Sequence, residues 1–439
     1  MKTTITNILT RRVTRLMTMA VLLTAIVSGC ANDDSLSPLP EEEQQMTLQF
    51  TITAQRLYDR SRTLLLPSGT EQIGSPADNI IDTEHITFLL FDGSKRLITL
   101  FYPTVAPENS DEGKNHLRYI VTAKLPSNIF DYATGDNVDF YIMALANLQG
   151  NSPSRFNYPM GPDEDISLMF DTKSVITFAA PLQEHIPMSG LQLFTVSRTA
   201  LAASSPDNPL KLYQDIANPK DINMLRAIAK IEIIDKIGYS ATSSPTQKPE
   251  GERISVISAK LAGYFSQGSI LPEISNWEKA GSFETQYVTG ASIPSNAIYN
   301  EPVSFDAMMN QGKNLDPKTT LEFTYDDYAT KARTDGCKVY SIYLPEFAPT
   351  EISTREKPWI LVTLKNPDNQ TGDIDSDKLN PNYEIKLAEY TSGKPGEPLT
   401  ILRNNIYRYE ITGASSSLNL NWTVCDWDKP DDIDIPPFN

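Results

Sequence analysis

Apolar and polar residues alternate with a period of two along most of this chain. Alternation places successive side chains on opposite faces of an extended strand, so each such segment is expected to bury one face. The clearest case runs from Met46 to Gln55, where the apolar positions are Met46, Leu48, Phe50, Ile52 and Ala54. The same pattern predicts strands at Ile86–Phe91, Leu97–Tyr102, Leu117–Leu125, Val138–Ala146, Val175–Ala179, Leu225–Ile234, Ile254–Tyr264, Lys338–Leu344, Trp359–Lys365, Tyr383–Ala388, Ile406–Thr412 and Leu418–Val424.

Helical periodicity is scarce, and only Leu210–Ala217 and Ser304–Met309 are candidate helices. The 31 prolines, with many Asn, Asp, Gly and Ser, fall between the apolar runs, as the turns of an all-β protein require. The least hydrophobic break near the middle of the chain is Ser240–Gly251. We therefore predict two domains, 46–240 and 241–439, each a β-sandwich of about seven strands.

The N-terminus has the three regions of a secretory signal. Basic residues precede an uncharged stretch, Leu16–Val27, and the small residues Ser28 and Gly29 lead to Cys30. The run before Cys30 resembles a bacterial lipobox, which implies a signal peptide over 1–29, lipidation of Cys30 and attachment to the outer membrane. Residues 30–45 form an acidic tether, typical of surface-exposed lipoproteins. An ordinary signal with an incidental cysteine is the alternative.

Charge and cysteine content narrow the possible partners. The formal net charge is −17, and removal of a signal carrying Lys2, Arg11, Arg12 and Arg15 takes it to about −21. Such a chain repels phosphate backbones, so we expect no nucleic acid partner. After Cys30, only Cys337 and Cys425 remain; they form either one disulfide or two buried thiols.

Motifs for catalysis or metal binding are missing from the sequence. His85, His116 and His185 are scattered, and no nucleophile elbow, phosphate loop or Cys-x-x-Cys pair occurs. Three aspartates, Asp373, Asp375 and Asp377, have calcium-loop spacing relative to Glu384, but Lys378 replaces the glycine that such a loop needs and Pro381 interrupts it. A solvated acidic turn is the preferred interpretation, and we predict a non-enzymatic chain without catalytic residues, metal site or cofactor.

Four short stretches, in order and spread over nearly the whole mature chain, resemble fimbrillins, the lipoprotein-derived pilus subunits that include anchor and tip proteins. They are Tyr141–Asn147, Ile186–Gly190, Leu225–Glu232 and Leu402–Tyr409. The resemblance implies two transthyretin-like Greek-key β-sandwich domains. From the residues themselves, we expect a tight connection at Pro187–Gly190 with Met188 in the core, and one shared face for Ala227, Ala229, Ile231 and Ile233.

The resemblance also implies assembly by strand exchange. In fimbrillins an arginine-specific protease cuts after the first strand, and the C-terminal strand of another subunit fills the groove. Here the cut would fall at Arg56, Arg60 or Arg62, although a solvated turn without processing explains the same residues. The donor strand would lie in 426–439 and carry Ile433, Ile435 and Phe438. Pro436 and Pro437 remove two backbone donors from it, which leaves a stalk, anchor or tip role open.

The predicted function is therefore a structural subunit of a cell-surface fimbria that contributes to adhesion. Its predicted partners are other fimbrial subunits, the outer membrane and the arginine-specific protease. The alternative is a surface-tethered glycan-binding β-sandwich lipoprotein. That function would need a platform of exposed aromatic side chains, for which the candidates are Trp277, Tyr325, Tyr328 and Trp359.

Overall fold

The computed structural model describes residues 46–54, 76–108, 118–132, 135–148, 163–171, 175–177, 185–214, 221–237, 254–274, 283, 288–295, 297–333, 335–352, 354–365, 380–391 and 393–426. These residues belong to one compact unit. Strands dominate the unit and the helices are short, which confirms the all-β prediction. None of the helices within these ranges is long and apolar enough to cross a membrane.

Among the described residues, twelve strands precede the predicted domain boundary and fifteen lie beyond it. The first twelve are β1 (Thr47–Thr53), β2 (Ile86–Asp92), β3 (Leu97–Phe101), β4 (Thr104–Pro107), β5 (Arg118–Lys124), β6 (Asn137–Ala146), β7 (Val175–Thr177), β8 (Met188–Ser197), β9 (Leu210–Lys211), β10 (Asp221–Asn223), β11 (Leu225–Arg226) and β12 (Ala229–Asp235). The other fifteen are β13 (Ser255–Ala262), β14 (Tyr264–Phe265), β15 (Gln267–Ser269), β16 (Glu273–Ile274), β17 (Val288–Gly290), β18 (Tyr299–Asn300), β19 (Thr320–Glu322), β20 (Thr324–Tyr325), β21 (Lys338–Leu344), β22 (Trp359–Lys365), β23 (Asn382–Lys386), β24 (Ala388–Thr391), β25 (Lys394–Pro398), β26 (Asn405–Ala414) and β27 (Leu418–Asp426).

The helices are brief. The α-helices are α1 (Ser167–Asp171), α2 (Arg198–Ala202), α3 (Phe305–Gln311) and α4 (Asp327–Ala332), and the 3-10 helices are Pro76–Asn79, Ser127–Tyr132, Leu212–Gln214, Pro317–Thr319 and Pro349–Ile352. Helix α3 confirms the prediction at Ser304–Met309. The Ser304 hydroxyl accepts a hydrogen bond from the Ala307 backbone N–H, and Gly312 ends the helix in the left-handed conformation that glycine adopts without strain.

Two five-stranded sheets enclose the first core. Sheet I has the order β10-β1-β5-β4, with β9 also beside β1, and sheet II has the order β11-β8-β6-β2-β3. The inward residues of β1 and β5 meet those of β2, β6 and β8 in one cluster of buried apolar side chains. Alternation of one buried and one polar face in β1 therefore follows from its place in a two-layer structure.

Sheet II is buried on both faces. Its outer face packs against Ile166 and Met169 around α1 and against Ile270, Leu271 and Phe283, which come from far along the chain. Strands β2 and β6 are accordingly almost continuously buried. A strand covered on both sides needs apolar residues at consecutive positions, which explains the unbroken runs in these two strands.

Sheets III and IV enclose the second core. Sheet III has the order β20-β21-β12-β26-β27, and sheet IV has the order β19-β13-β22-β23. Strand β12 lies between antiparallel β21 and parallel β26. Its residues Ala229, Ile231 and Ile233 face the second core. Strand β12 precedes the predicted domain boundary but pairs with strands that follow the boundary. The boundary at 240/241 lies outside the described residues. Both this boundary and the Greek-key topology stay predictions.

One predicted strand is in fact two. The segment Leu225–Ile234 breaks at Ala227–Ile228, so that β11 pairs in sheet II while β12 pairs in sheet III. Ala227 consequently lies in the cluster on the outer face of sheet II, and the expectation that it shares a face with Ala229 is wrong. Every second residue from Leu225 to Ile233 is apolar on both sides of the break, and Ile228 adds a further apolar residue at the break itself.

Two other local predictions are also wrong. Leu210–Ala217 starts as β9 and a 3-10 helix rather than an α-helix. Gly190, expected in a tight connection, lies within β8 opposite Ala144. A Cβ at Gly190 would approach the backbone oxygen of Asn223 to 2.7 Å, so close packing of β8 against β10 explains the glycine. Met188 is fully buried, as expected.

Both remaining cysteines carry free, buried thiols, which excludes a disulfide between them in this structure. Cys337 packs with Ile234 and Val339, and Cys425 belongs to the first core. Burial, together with the neighbouring Asp335 carboxylate, raises the pKa of the Cys337 thiol to about 12. Cys337 therefore acts as a small buried apolar residue.

Candidate functional site

The candidate site is the position of β1 in sheet I. Strand β1 pairs over all seven residues with antiparallel β5, from Thr47 opposite Lys124 to Thr53 opposite Arg118. On its other side the short parallel strands β9 and β10 pair with two and three residues of β1, respectively. Strand β1 is thus a central strand whose backbone is bonded along both edges.

The inward face of β1 is apolar. Met46, Leu48, Phe50, Ile52 and Ala54 all have at most 5% exposure. The Phe50 ring packs edge-to-face on Phe88, with ring centroids 5.6 Å apart, and lies 6.3 Å from the Phe194 ring. Burial of this face supplies most of the affinity of the sheet for β1, since each large apolar side chain contributes about 1.5–3 kcal/mol.

The outward face of β1 is polar but uncharged. The Thr51 hydroxyl donates a short hydrogen bond to Asp221 Oδ1, and the Arg118 guanidinium binds the same carboxylate oxygen at 2.8 Å. Gln49 donates from Nε2 to the Thr122 hydroxyl at 3.0 Å. The charges on this face therefore belong to β5 and β10, and β1 contributes only hydroxyl and amide groups.

A different kind of contact occurs around Lys230 on β12. Lys230 is fully buried, and its Nζ lies 2.8 Å from Asp326 Oδ2, 3.1 Å from Glu232 Oε1 and 3.8 Å from Asp78 Oδ2. Glu232 also accepts a hydrogen bond from Arg408 Nε at 2.8 Å. We call Asp78, Lys230, Glu232, Asp326 and Arg408 the Lys230 cluster.

Lys230, Glu232 and Asp326 stay ionised in this cluster. Burial alone would lower the pKa of Lys230, but the surrounding carboxylates raise it well above its usual range. Burial would likewise raise the pKa values of Glu232 and Asp326, and the Lys230 charge reverses this effect and lowers both. The cluster joins the helix Pro76–Asn79 to sheet III, because Asp78 belongs to that helix.

Four charged residues of two of the stretches named in the sequence analysis are paired: Lys230, Glu232 and Arg408 belong to this cluster, and Arg403 belongs to a second buried ion pair. In the second pair, Arg403 donates to Glu346 Oε2 at 2.8 Å and to the Ser269 and Ile270 carbonyl oxygens at 2.7 Å. No role for these charged residues was predicted from the sequence. The sequence did contain a signal for buried ion pairs, namely lysine, arginine and glutamate within otherwise apolar strands. Such residues are almost never buried unless they are paired.

All predicted site residues lie outside the described residues. These are the lipidation site Cys30, the processing sites Arg56, Arg60 and Arg62, and the donor-strand residues Ile433, Ile435 and Phe438. They stay predictions, as does the acidic turn around Asp375. The part of the chain that carries Arg56, Arg60 and Arg62 begins directly after Ala54, the residue that follows β1.

The aromatic platform required by the glycan-binding alternative is only partly present. Trp359 is buried and donates from Nε1 to the Val303 carbonyl oxygen at 3.0 Å, so its assignment as an exposed platform residue is wrong. Its ring packs against Phe305 of α3, which explains the burial. Tyr325 is exposed, Tyr328 is half-buried, and Trp277 lies outside the described ranges.

The two described histidines, His85 and His185, precede strands β2 and β8. His85, just before β2, contacts Asp82 through Nδ1 at 2.9 Å, and His185 Nδ1 lies 3.8 Å from the same carboxylate. His116 lies outside the described residues. Within the ranges that the structure covers, no group of three or more His, Cys, Asp or Glu side chains is placed to hold a metal ion.

No protein-family model and no curated protein matches the chain. Several solved structures are similar to it. The tip fimbrial protein Mfa3 from Porphyromonas gingivalis, with its C-terminus truncated, has 13% identity and a TM-score of 0.45, with 87% of this chain and all of that chain covered. A fimbrial assembly protein from Parabacteroides distasonis has 11% identity and a TM-score of 0.44, with 87% and 96% covered.

A fimbrilin from Porphyromonas gingivalis has 13% identity and a TM-score of 0.40, with 87% of this chain and 97% of that chain covered. Other similar structures carry the description of putative cell adhesion protein, among them one from Bacteroides uniformis with 10% identity and a TM-score of 0.39. Solved structures described as fimbrial proteins and as putative cell adhesion proteins are thus among those to which this chain is similar.

Proposed function

We propose that this protein is a structural subunit of a cell-surface fimbria and that β1 is its exchangeable strand. The observation that carries the proposal is the position of β1. It is a central strand, its inward face is wholly apolar and buried, and it brings no charge of its own to the sheet. Any strand with alternating apolar residues satisfies the same requirements, as strand addition needs.

The sequence after β1 supports the same function. Arg56, Arg60 and Arg62 follow within eight residues of Ala54, so an arginine-specific protease finds three cleavage positions directly beyond the strand that must leave. Removal of β1 would leave β5 and β10 with unpaired backbone groups on facing edges. Such edges bind an incoming strand through main-chain hydrogen bonds.

Limited proteolysis tests the exchange of β1. Trypsin is expected to cut first at Arg56, Arg60 or Arg62, and the cut protein should slowly form oligomers that resist SDS. Mass spectrometry of the new N-terminus and gel electrophoresis measure the two steps. A variant with all three arginines replaced by alanine should fold and remain monomeric. The matched control, Arg96→Ala with Arg198→Ala, keeps Arg56, Arg60 and Arg62 and should oligomerise like the parent. Cut protein that stays monomeric would exclude a polymerising stalk subunit and leave an anchor or tip role.

Lipidation of Cys30 is the second part of the proposal. A thiolate at the signal boundary accepts the diacylglycerol, and several acyl chains hold a protein stably on a membrane where one does not. Cys30→Ser should abolish palmitate labelling and membrane fractionation, with the precursor accumulating. Cys337→Ser keeps Cys30 and serves as the control for labelling. Unchanged label in the Cys30→Ser variant would contradict the proposed anchor.

A further inference from the structure

One buried guanidinium contacts both ends of the connection between β1 and the helix Pro76–Asn79. Arg226 of β11 is fully buried. It donates from Nη2 to the Ala54 carbonyl oxygen at 3.0 Å and to Asn79 Oδ1, and from Nε to the Asp78 carbonyl oxygen at 3.1 Å. Ala54 is the last described residue before the connection, and the helix is the first element after it.

Arg226 is itself held in place by sheet III. Its Nη1 donates to Asn404 Oδ1 at 2.8 Å. Asn404 has a positive φ of 58° in the turn before β26, and its backbone N–H bonds to the Ile228 carbonyl oxygen at 2.9 Å. A planar guanidinium directs its donors along fixed lines, so a fixed Nη1 also fixes the two donors that face the connection.

The helix after the connection has a second attachment that does not involve Arg226. The Tyr343 hydroxyl donates to Asp78 Oδ1 at 2.6 Å, and Lys230 Nζ lies 3.8 Å from Asp78 Oδ2. Tyr343 and Lys230 belong to β21 and β12, which are neighbours in sheet III. The helix Pro76–Asn79 is therefore bound to sheet III through Tyr343 and Lys230, and to β11 of sheet II through the Arg226 hydrogen bonds.

We propose that Arg226 is a clamp that holds the end of β1 and the helix Pro76–Asn79 in place independently of the chain that joins them. The consequence for assembly rests on the function proposed above. A cut at Arg56, Arg60 or Arg62 leaves the Arg226 hydrogen bonds to Ala54, Asp78 and Asn79 intact, so the Arg226–Ala54 bond must also break before β1 leaves. After β1 departs, the new N-terminal side stays attached through Asp78 and Asn79. Arg226 is a positioning residue, and release of β1 rather than cleavage determines the rate of exchange.

Hydrogen exchange on the intact chain tests the clamp without any proteolysis. In Arg226→Met, amide exchange of peptides covering 46–54 and 76–82 should accelerate at least about tenfold relative to the parent, as loss of a charge-assisted hydrogen bond predicts. The matched control is Arg403→Met, which removes an equally buried arginine that contacts Glu346, Ser269 and Ile270 instead. In this control, the amide exchange rates of the peptides covering 46–54 and 76–82 should stay within about twofold of those in the parent. Equal acceleration in both variants, or none in Arg226→Met, would overturn the clamp.

Two milder variants keep the test valid if Arg226→Met does not fold. Asn79→Ala removes one acceptor of the clamp, and Tyr343→Phe removes one hydrogen bond to Asp78; both leave all charges in place. Asn79→Ala should accelerate exchange in 46–54 and in 76–82, because it frees the Nη2 donor that also holds Ala54. Tyr343→Phe should accelerate exchange only in 76–82. Acceleration confined to 76–82 in Asn79→Ala as well would overturn the coupling between the two ends.

Fragment release separates failure of the clamp from failure of the proposed function. Chain cut by trypsin should lose the fragment ending in β1 at least about tenfold faster in Asn79→Ala than in the parent, measured by size-exclusion chromatography and mass spectrometry. If neither cut protein releases the fragment, strand exchange fails while the hydrogen-exchange result still decides the clamp. If both release it at the same rate, the clamp does not control exchange.

Discussion

Strands β1 and β12 occupy equivalent positions and are held in opposite ways. Each is a seven-residue, wholly or almost wholly buried strand in the middle of a five-stranded sheet. Strand β1 presents apolar groups inward and neutral polar groups outward. Strand β12 presents apolar groups to the second core, but Lys230 and Glu232 on its other face are ionised and paired with Asp78, Asp326 and Arg408, from three other places in the chain.

The difference shows which strand a sheet can replace. Contacts of β1 require alternation, approximate volume and a backbone, and many sequences provide these. Contacts of β12 require specific charges at fixed positions, because a buried charge without its partner is strongly destabilising. We therefore infer that β12 is a permanent part of the fold, whereas β1 is built to be exchangeable.

The largest effect is expected from breaking the Lys230 cluster. Lys230→Met removes the cation that pairs with Asp326 and one of the two cations that pair with Glu232, and should lower the free energy of unfolding by about 3–5 kcal/mol. Urea denaturation measures it. The control is Lys260→Met, which removes the partner of Glu322 in an exposed pair at 2.7 Å and should change stability by less than about 1 kcal/mol. Similar losses in both variants would contradict the contrast between β12 and the surface.

Acid should weaken the Lys230 cluster before it affects the contacts of β1. The pKa values of Glu232 and Asp326 are lowered in the folded chain, and hydrogen bonds from Arg333 and the Cys337 backbone overcome burial to lower that of Asp335 to about 2. Carboxylates with a depressed folded-state pKa stabilise the fold above their unfolded pKa, near pH 4, and lose this contribution as pH falls through the folded value.

Urea midpoints should therefore decrease from about pH 5 towards pH 2. In Asp326→Asn, stability at pH 7 should be lower and the decrease with acid should be shallower. If the urea midpoint of Asp326→Asn fell with pH as steeply as that of the parent, Asp326 would not contribute to the loss of stability in acid. The raised pKa of Lys230 adds an alkaline limb, because its stabilisation is complete below its ordinary pKa, near 10.5, and is lost only as pH rises through the higher folded value.

Apolar exchanges in β1 should be tolerated. Leu48→Met keeps the volume of a fully buried side chain and should lower the free energy of unfolding by less than about 1.5 kcal/mol. Leu48→Asn, of lower apolarity at the same position, is the contrasting variant and should lower it by more than the methionine does. Thermal or urea unfolding measures both. Equal losses would mean that β1 is held by something other than its apolar face.

The outward face of β1 should matter least. Thr51→Val removes the hydroxyl that binds Asp221 but leaves Arg118 paired with the same carboxylate, so stability should fall by about 1 kcal/mol. Thr363→Val on β22, which loses a hydrogen bond to Asn382 at 2.7 Å, is a matched control outside sheet I. A loss in Thr51→Val of several times that in the control would show that the outward face selects the strand.

Period two in the sequence was sufficient to predict the all-β class and most strands. Two predicted strands, Lys338–Leu344 and Trp359–Lys365, coincide with β21 and β22 residue for residue. The apolar face of Met46–Ala54 is also correct, since burial of alternate side chains depends on local geometry that the sequence encodes directly. Helix α3 was predictable for the same reason, because its cap is a local signal.

Tertiary structure alone decided how strands combine. Apolar residues fill every second position from Leu225 to Ile233, yet the chain changes sheets at Ala227–Ile228, because β11 pairs with β8 whereas β12 pairs with β21 and β26. From the sequence, Trp359 was a candidate for an exposed aromatic platform, but in the folded chain Phe305 of α3 packs against its ring. The roles of Arg226 and Lys230 follow only from their contacts in the folded chain, where Ala54, Asp78 and Asn404 come together from distant parts of the sequence. The free energy of a buried charge depends on its neighbours in space, and no local sequence pattern specifies those neighbours.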